Sequence, residues 1–311
     1  MRWIGRALLV LALLLGGAIV LAWTPDRDPA ALEKRYARSP RDFLALPNRQ
    51  RVHVRDEGPR GAPVIVLLHG SNSSLHTWDP WTQRLKRRFR IIRYDQPGHG
   101  LTGPHPRRAY DAAAFVDTLD QVTRALGIDR FVLAGNSMGG WVAWNYALAH
   151  PERLRGLALL DASGAPANGP TRLPIGFRLA RSPLAPYIGK LTPRPLVARS
   201  VEQSMFVKHV VTPAMIDRYH DLLLYPGNRT ATLDRATAPR PPATPAQMAS
   251  IRVPTLLLWG AEDTLVPPAG ARWFATHIPG SRLAVLPNVG HIPMEEAPDD
   301  SVRVLLDWMP R

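Results

Sequence analysis

An α/β fold, with a mostly parallel sheet covered by helices on both faces, is what this 311-residue sequence predicts. Three observations carry that reading. Strand-like apolar runs alternate with helix-periodic segments along most of the chain. Several of these runs are continuously apolar, as strands buried on both faces are. One of them, Phe131 to Ala134, enters the turn Gly135-Asn136-Ser137-Met138-Gly139, which the helix-prone segment Trp141 to Ala149 leaves.

The elements follow in order. After Arg2 and Arg6, residues Ala7 to Pro25 carry no charge. At about 1.5 Å per residue the run would extend roughly 28 Å as a helix, close to a bilayer's hydrocarbon thickness. Trp3 and Trp23 bracket it, and the preceding arginines place the N-terminus inside and the body of the chain outside. The expectation is a retained N-terminal transmembrane helix over 1–24 with the remainder on the extracytoplasmic, periplasmic side. The alternative is secretion after cleavage of a signal segment at Val20-Leu21-Ala22. A charged, proline-bounded linker occupies 25–41.

From residue 42 the alternation begins. Strands are expected at Phe43 to Leu46, Val52 to Val54, Pro63 to Leu68, Arg90 to Tyr94, Phe131 to Ala134 and Leu154 to Leu160, with a helix over Asp111 to Leu126 stopped by Gly127. This first part of the core spans 42–164. Residues 165–246 lose the regularity, are rich in Pro and Arg, and read as a helical lid. The core resumes over 247–311 with strands at Pro254 to Trp259 and Arg282 to Leu286 and a helix over Asp299 to Trp308.

Composition narrows the chemistry. With no Cys, disulfides, thiolate metal sites and cysteine nucleophiles are excluded. The formal charge of +14 comes from scattered Arg interleaved with Asp and Glu, without a basic run carrying aromatics, which argues against nucleic acid. A solvated surface accounts for it, with anionic lipid or an acidic substrate as the functional reading.

A turn between strand and helix lifts the Ser137 hydroxyl clear of the sheet, and serine needs a base to take its proton and an acid to orient that base. In a parallel sheet such groups meet just past the strand ends. His291, in the loop after Arg282 to Leu286, is the base; His69 and His99, in glycine turns upstream, read as loop-shaping residues. Asp263, after Pro254 to Trp259, is the acid, with Asp161 as its rival. The amide of Met138 and an amide of the loop after Gly70, from Ser71 with Asn72 as alternative, are the oxyanion donors. Trp78 and Trp81 are expected to pack the helix that follows. No metal or organic cofactor is called for.

Together His69-Gly70, Asp95-Gln96-Pro97-Gly98-His99-Gly100, the Ser137 turn, Trp259-Gly260-Ala261-Glu262-Asp263 and Gly290-His291-Ile292-Pro293 resemble the α/β-hydrolase superfamily over 42–309. The order Ser137, Asp263, His291 is that superfamily's order. The resemblance implies an eight-stranded, mostly parallel sheet with a lid inserted after the sixth strand. It implies a serine esterase acting on a small ester-like substrate, and the lid's Leu, Phe, Met and Tyr content suggests an apolar acyl or aryl group. Gly-Asn-Ser-Met-Gly-Gly is similar to meta-cleavage product hydrolases, so hydrolysis of a carbon–carbon bond is an alternative. Amide hydrolysis and acyl transfer use the same triad, and a binding protein on a hydrolase fold is the remote alternative. Haloalkane dehalogenases and epoxide hydrolases use Asp where this chain has Ser137.

Overall fold

The structure is a computed structural model that describes residues 2–310 apart from 167–174. The apolar N-terminal run forms helix α1 (Arg2–Ala22), followed by α2 (Pro29–Tyr36). The chain between them is fastened to the body. Thr24 N donates to Lys190 O and Arg27 N to Leu224 O, and Arg229 pairs with Asp26 at 2.5 Å. Among the described residues no helix is long and apolar enough to cross a membrane. The expected span is corrected accordingly. It counted the uncharged run to Pro25, whereas the helix ends at Ala22, so the charge-free helical stretch rises only roughly 24 Å against a core of about 30 Å. Leu13, Leu14, Val20 and Leu21 on this helix are exposed.

All eight expected strands form: β1 (Phe43–Ala45), β2 (Arg51–Glu57), β3 (Val64–Leu68), β4 (Arg90–Tyr94), β5 (Phe131–Asn136), β6 (Leu154–Leu160), β7 (Thr255–Gly260) and β8 (Arg282–Leu286). They make one sheet in the order β1-β2-β4-β3-β5-β6-β7-β8, antiparallel for β1 and β2 and parallel thereafter. The order reverses at β3, which is where open α/β sheets place their crevice. The central strands β4 and β5 are buried throughout. β5 is apolar from Phe131 to Ala134, as a strand covered on both faces is, whereas β4 buries Arg90 and Arg93 paired with Asp56 and Glu57.

Helices α3 (Asp79–Leu85), α4 (Ala112–Ala125) and α5 (Met138–Ala149) follow β3, β4 and β5. Asp111 caps α4 by accepting from Ala114 N, and Gly127 ends it at φ 65°. Trp78 and Trp81 stack edge to face at 5.1 Å beneath the sheet, fully buried, as expected of packing residues. Between β6 and β7 lie α6 (Ile175–Ala180), α7 (Ala185–Ile188), α8 (Arg194–Ser204), α9 (Pro213–Leu223), α10 (Asn228–Thr237) and α11 (Pro245–Ser250), and the first five of these form a helical cap. The fold closes with α12 (Pro268–His277), α13 (Pro293–Glu296) and α14 (Pro298–Trp308).

Candidate active site

The ends of β3, β5, β6, β7 and β8 converge on one cleft of about 1100 Å³ between sheet and cap, lined by Ser71, Ser137, His291 and Arg240 among others. Ser137 stands between β5 and α5 at φ 55° and ψ −116°, backbone space an L-residue enters only when its surroundings compel it. Two contacts compel it here: Ser137 N donates to Leu160 O at 3.0 Å, and Ser163 N donates to Ser137 O at 3.0 Å. The tight approach of strand to helix needs bare glycines. A Cβ on Gly135 would lie 2.2 Å from Gly139 O, and one on Gly139 would lie 2.2 Å from Leu68 O.

His291 Nδ1 lies 2.7 Å from Asp263 Oδ2, and both side chains are buried. A hydrogen bond to a carboxylate puts the imidazole proton on Nδ1 and leaves Nε2 with its lone pair. The other carboxylate oxygen, Oδ1, accepts from Leu265 N and Val266 N at 2.8 and 3.0 Å, which fixes the rotamer. Among the described residues no hydrogen bond joins Ser137 to His291; the two share the wall of the cleft. Catalytic hydrogen bonds of this kind commonly tighten only with substrate present.

Asp161, the rival acid, is next to this pair instead of replacing it. It is fully buried at φ 45°, and its Oδ1 accepts from Gly260 N at 2.9 Å. Burial, and then the negative charge of Asp263, raises its carboxyl well above the ordinary range. Asp161, Asp263 and His291 form one cluster, whose ligand-type atoms lie within 4.8 Å of one another.

Of the two expected oxyanion donors, Ser71 lines the same cleft and Met138 directly follows Ser137 in the chain. Among the described residues neither Ser71 N nor Met138 N has a hydrogen-bond partner, and Met138 opens α5, whose first amides are free by construction. Ser71 Oγ donates to Met138 Sδ at 3.2 Å. Asn72, at φ 57°, turns its side chain to the cap, where Oδ1 accepts from Arg235 Nη2 and Thr232 Oγ1. His69 and His99 are buried in their turns as expected, with His69 Nε2 accepting from Gln96 N and burial lowering both imidazoles.

Other residues join the site that the sequence did not single out. Asn136 Nδ2 donates to His291 O at 2.9 Å. Glu296, buried, accepts four backbone amides: Gly290 at 3.0 Å and Ile292 at 3.1 Å on either side of His291, and Phe206 at 2.8 Å and Val207 at 3.0 Å from the cap. His291 N itself donates to Ser204 O at the end of α8. Arg235 and Arg240 line the cleft as guanidinium groups. Burial, and then the charge of Arg240, pushes Arg235 down to about 9, and burial, and then Arg181, pushes Arg240 down to about 10. Both stay cationic at neutral pH.

Beside the cleft is an apolar chamber of about 980 Å³ under the cap, lined by Leu179, Ile188, Leu196, Val201, Leu223 and Leu233. Ser71, Asn72, Tyr219 and Ile292 border both spaces.

A serine on a strained turn between strand and helix, with a carboxylate–histidine pair at neighbouring strand ends and a helical cap above, is the plan of an α/β hydrolase. The chain belongs to the alpha/beta hydrolase family, whose model matches residues 65–304. It is 29% identical to the 2-hydroxy-6-oxononadienedioate/2-hydroxy-6-oxononatrienedioate hydrolase 2 of Pseudomonas putida, over 90% of this chain and 97% of that protein. It is 27% identical to the pimeloyl-[acyl-carrier protein] methyl ester esterase of Nitrosomonas europaea, over 81% of this chain and 96% of that protein. Among solved structures, a thermophilic esterase from Thermogutta terrifontis superimposes with a TM-score of 0.70 at 27% identity, covering 86% of this chain and 96% of that one.

Proposed function

We propose that the protein is a serine hydrolase that cleaves carboxylic esters. The observation that carries this reading is the 2.7 Å Asp263–His291 pair in the wall of the cleft that holds Ser137 on its strained turn. His291 Nε2 takes the Ser137 proton as Oγ bonds to the ester carbonyl carbon. The amides of Met138 and Ser71 receive the negative charge that forms on the carbonyl oxygen. The carbon–oxygen bond to the alcohol breaks, and the alcohol leaves with the proton from His291. Water, deprotonated by the same imidazole, then releases the acid and restores Ser137. Asp263 holds the imidazole tautomer throughout. The chamber under the cap is where an apolar acyl or aryl group is held, and the esterases among the similar proteins support the ester reading itself.

Carbon–carbon hydrolysis is the second reading, favoured by the Pseudomonas putida relative, which this chain matches nearly end to end. The experiment that separates them begins with fluorophosphonate labelling of wild type beside Ser137→Ala, the adduct mapped by mass spectrometry. Labelling at Ser137 alone, followed by turnover of short, long or aromatic acyl esters and none of a vinylogous diketone, is the expected result. Diketone cleavage without ester turnover would overturn the ester assignment, and an unlabelled, folded wild type would overturn the nucleophile.

We also propose that the chain is exported, with α1 and its exposed leucines held at the membrane and the hydrolase domain on the extracytoplasmic side. Release of the protein after cleavage at Val20-Leu21-Ala22 is the alternative. N-terminal sequencing of protein recovered from washed membranes distinguishes them, and recovery from the cytosol would overturn both.

A further inference from the structure

Buried arginines in this protein follow a rule with one exception. Arg55, Arg90, Arg93, Arg153 and Arg229 are each buried and each pairs with a carboxylate: Asp79, Asp56, Glu57, Asp120 and Asp26 respectively. That is the expected pattern, because a cation removed from water without a counter-charge is costly. Arg235, 4% exposed, has no carboxylate partner among the described residues. Its three hydrogen bonds go to neutral acceptors, Gly98 O, Asn72 Oδ1 and Thr232 Oγ1, at 2.8 to 2.9 Å. Arg240 shares the condition. Its Nε is buried without a partner, its Nη2 reaches only Met138 Sδ at 3.6 Å, and its guanidinium lies 5.0 Å from the centre of the Trp141 ring. Ring faces and neutral oxygens offset part of the charge but do not cancel it.

The acids nearby are committed elsewhere. Asp234 pairs with Arg108, Glu295 with Arg218, and Asp263 with His291. Yet Arg235, Arg240 and Arg181 line one cleft together with Ser137. Three cations facing a cavity repel one another unless something negative enters it.

We propose that Arg235 and Arg240, with Arg181 beside them, form an anion-binding subsite in the wall of the Ser137 cleft, so that the molecule this site takes carries a carboxylate or phosphate group. That the molecule is also an ester rests on the proposed activity above. Arg240 touches the side chain of Met138, whose amide is the proposed oxyanion donor, so the anionic group sits within a few bonds of the scissile carbonyl. A planar guanidinium fork suits either oxyanion. The apolar chamber adjoining the cleft supplies the other half of the specificity: a substrate apolar on one side and anionic on the other.

The test needs no turnover. Ser137→Ala protein is titrated calorimetrically with hexanoate, hexyl phosphate and hexanamide, which share an apolar tail and differ in charge. At least one anion is expected to bind about tenfold or more tighter than the neutral amide, weakening with added salt. Comparison of the two anions says whether the group is a carboxylate or a phosphate. The preference should vanish in Ser137→Ala/Arg240→Gln and return in part with Arg240→Lys, which keeps the charge and loses the fork. Hexanamide binding as well as both anions, no anion binding up to millimolar concentration, or a preference that survives Arg240→Gln would overturn the subsite. Because binding is read in a protein without its serine, these outcomes stand apart from success or failure of the ester-hydrolase reading.

Discussion

Replacing Glu296 by Gln changes no volume and removes one charge, and the structure sets what that costs. Oε2 accepts from Phe206 N, Val207 N and Gly290 N, and Oε1 accepts from Ile292 N. A glutamine has one acceptor oxygen and one NH₂ group. In its better orientation the oxygen takes the Oε2 position, and the NH₂ then faces the Ile292 amide, donor against donor. One charge-assisted bond is lost outright, and three others fall from about 1.5–3 kcal/mol each to about 1 kcal/mol. With the side chain 7% exposed, water compensates little. The expected loss is about 3 kcal/mol or more, read as a lower urea midpoint at unchanged slope. Because Gly290 and Ile292 flank His291, kcat on the best ester should fall as well, and Ser137 labelling should slow. A destabilisation below about 1 kcal/mol with unaltered kcat would refute the claim that this carboxylate holds the histidine loop.

Other predictions follow from buried groups near the same strand ends. Asp95 accepts from Leu75 N and Leu101 N and pairs with His53 at 2.7 Å. Burial alone would raise its carboxyl, but the charge of His53 and its hydrogen bond outweigh that and hold it below the usual range. Asp95→Asn should therefore cost about 3 kcal/mol or more at pH 7. The wild-type advantage is present above the unfolded carboxylate pKa of about 4 and shrinks as pH falls below it, so urea midpoints of the two proteins should converge in acid. Asp161 has the opposite sign, its folded pKa being raised. Its contribution is full below about pH 4 and is lost as pH rises through the folded value, so Asp161→Asn should gain on wild type with rising pH while keeping ester turnover. Asp263→Asn should instead lose kcat by a factor on the order of 10⁴, since an amide favours the wrong histidine tautomer; that loss in Asp161→Asn, with Asp263→Asn left active, would exchange their roles. Gly260→Ala would set a Cβ 2.0 Å from Gly290 O and 2.4 Å from Val289 O, backbone that can yield only by moving His291. Its kcat should fall by more than its overall stability, which overpacking lowers by about 1–3 kcal/mol.

What was readable in the sequence is what short-range pattern decides. Apolar runs mark β3, β5, β6 and β7, which are largely buried on both faces, while the alternation around Val52 and Val54 marks β2. Ser137, Asp263 and His291 stood out because each sits just past such a run. The length of the helical N-terminal segment was overread, since Trp23 to Pro25 are uncharged but leave the helix to bond the cap. Glu296, Arg235 and Arg240 gave no local signal, because part of what each one holds lies 90 or more positions away: Phe206 for Glu296, Gly98 for Arg235, Met138 for Arg240.

Those long-range partners share a feature that changes how the cap should be regarded. Ser204 O takes the His291 amide, Glu296 joins the histidine loop to Phe206 and Val207, and Arg235 with Thr232 holds the Asn72 side chain beside Ser71. The end of α8 thus fixes the loop of the proposed base, and α10 fixes the loop of a proposed oxyanion donor. A cap that only roofed a pocket could shift without altering either loop. Here cap displacement and catalytic geometry are coupled, so substitutions in α8 or α10 should change kcat and not merely substrate preference. Thr232→Val, which keeps shape and deletes the hydroxyl's bonds to Asn72 and Arg235 together, probes that coupling: a fall in kcat on a small neutral ester too short to reach the chamber supports it, and a change in KM alone for long acyl esters rules it out.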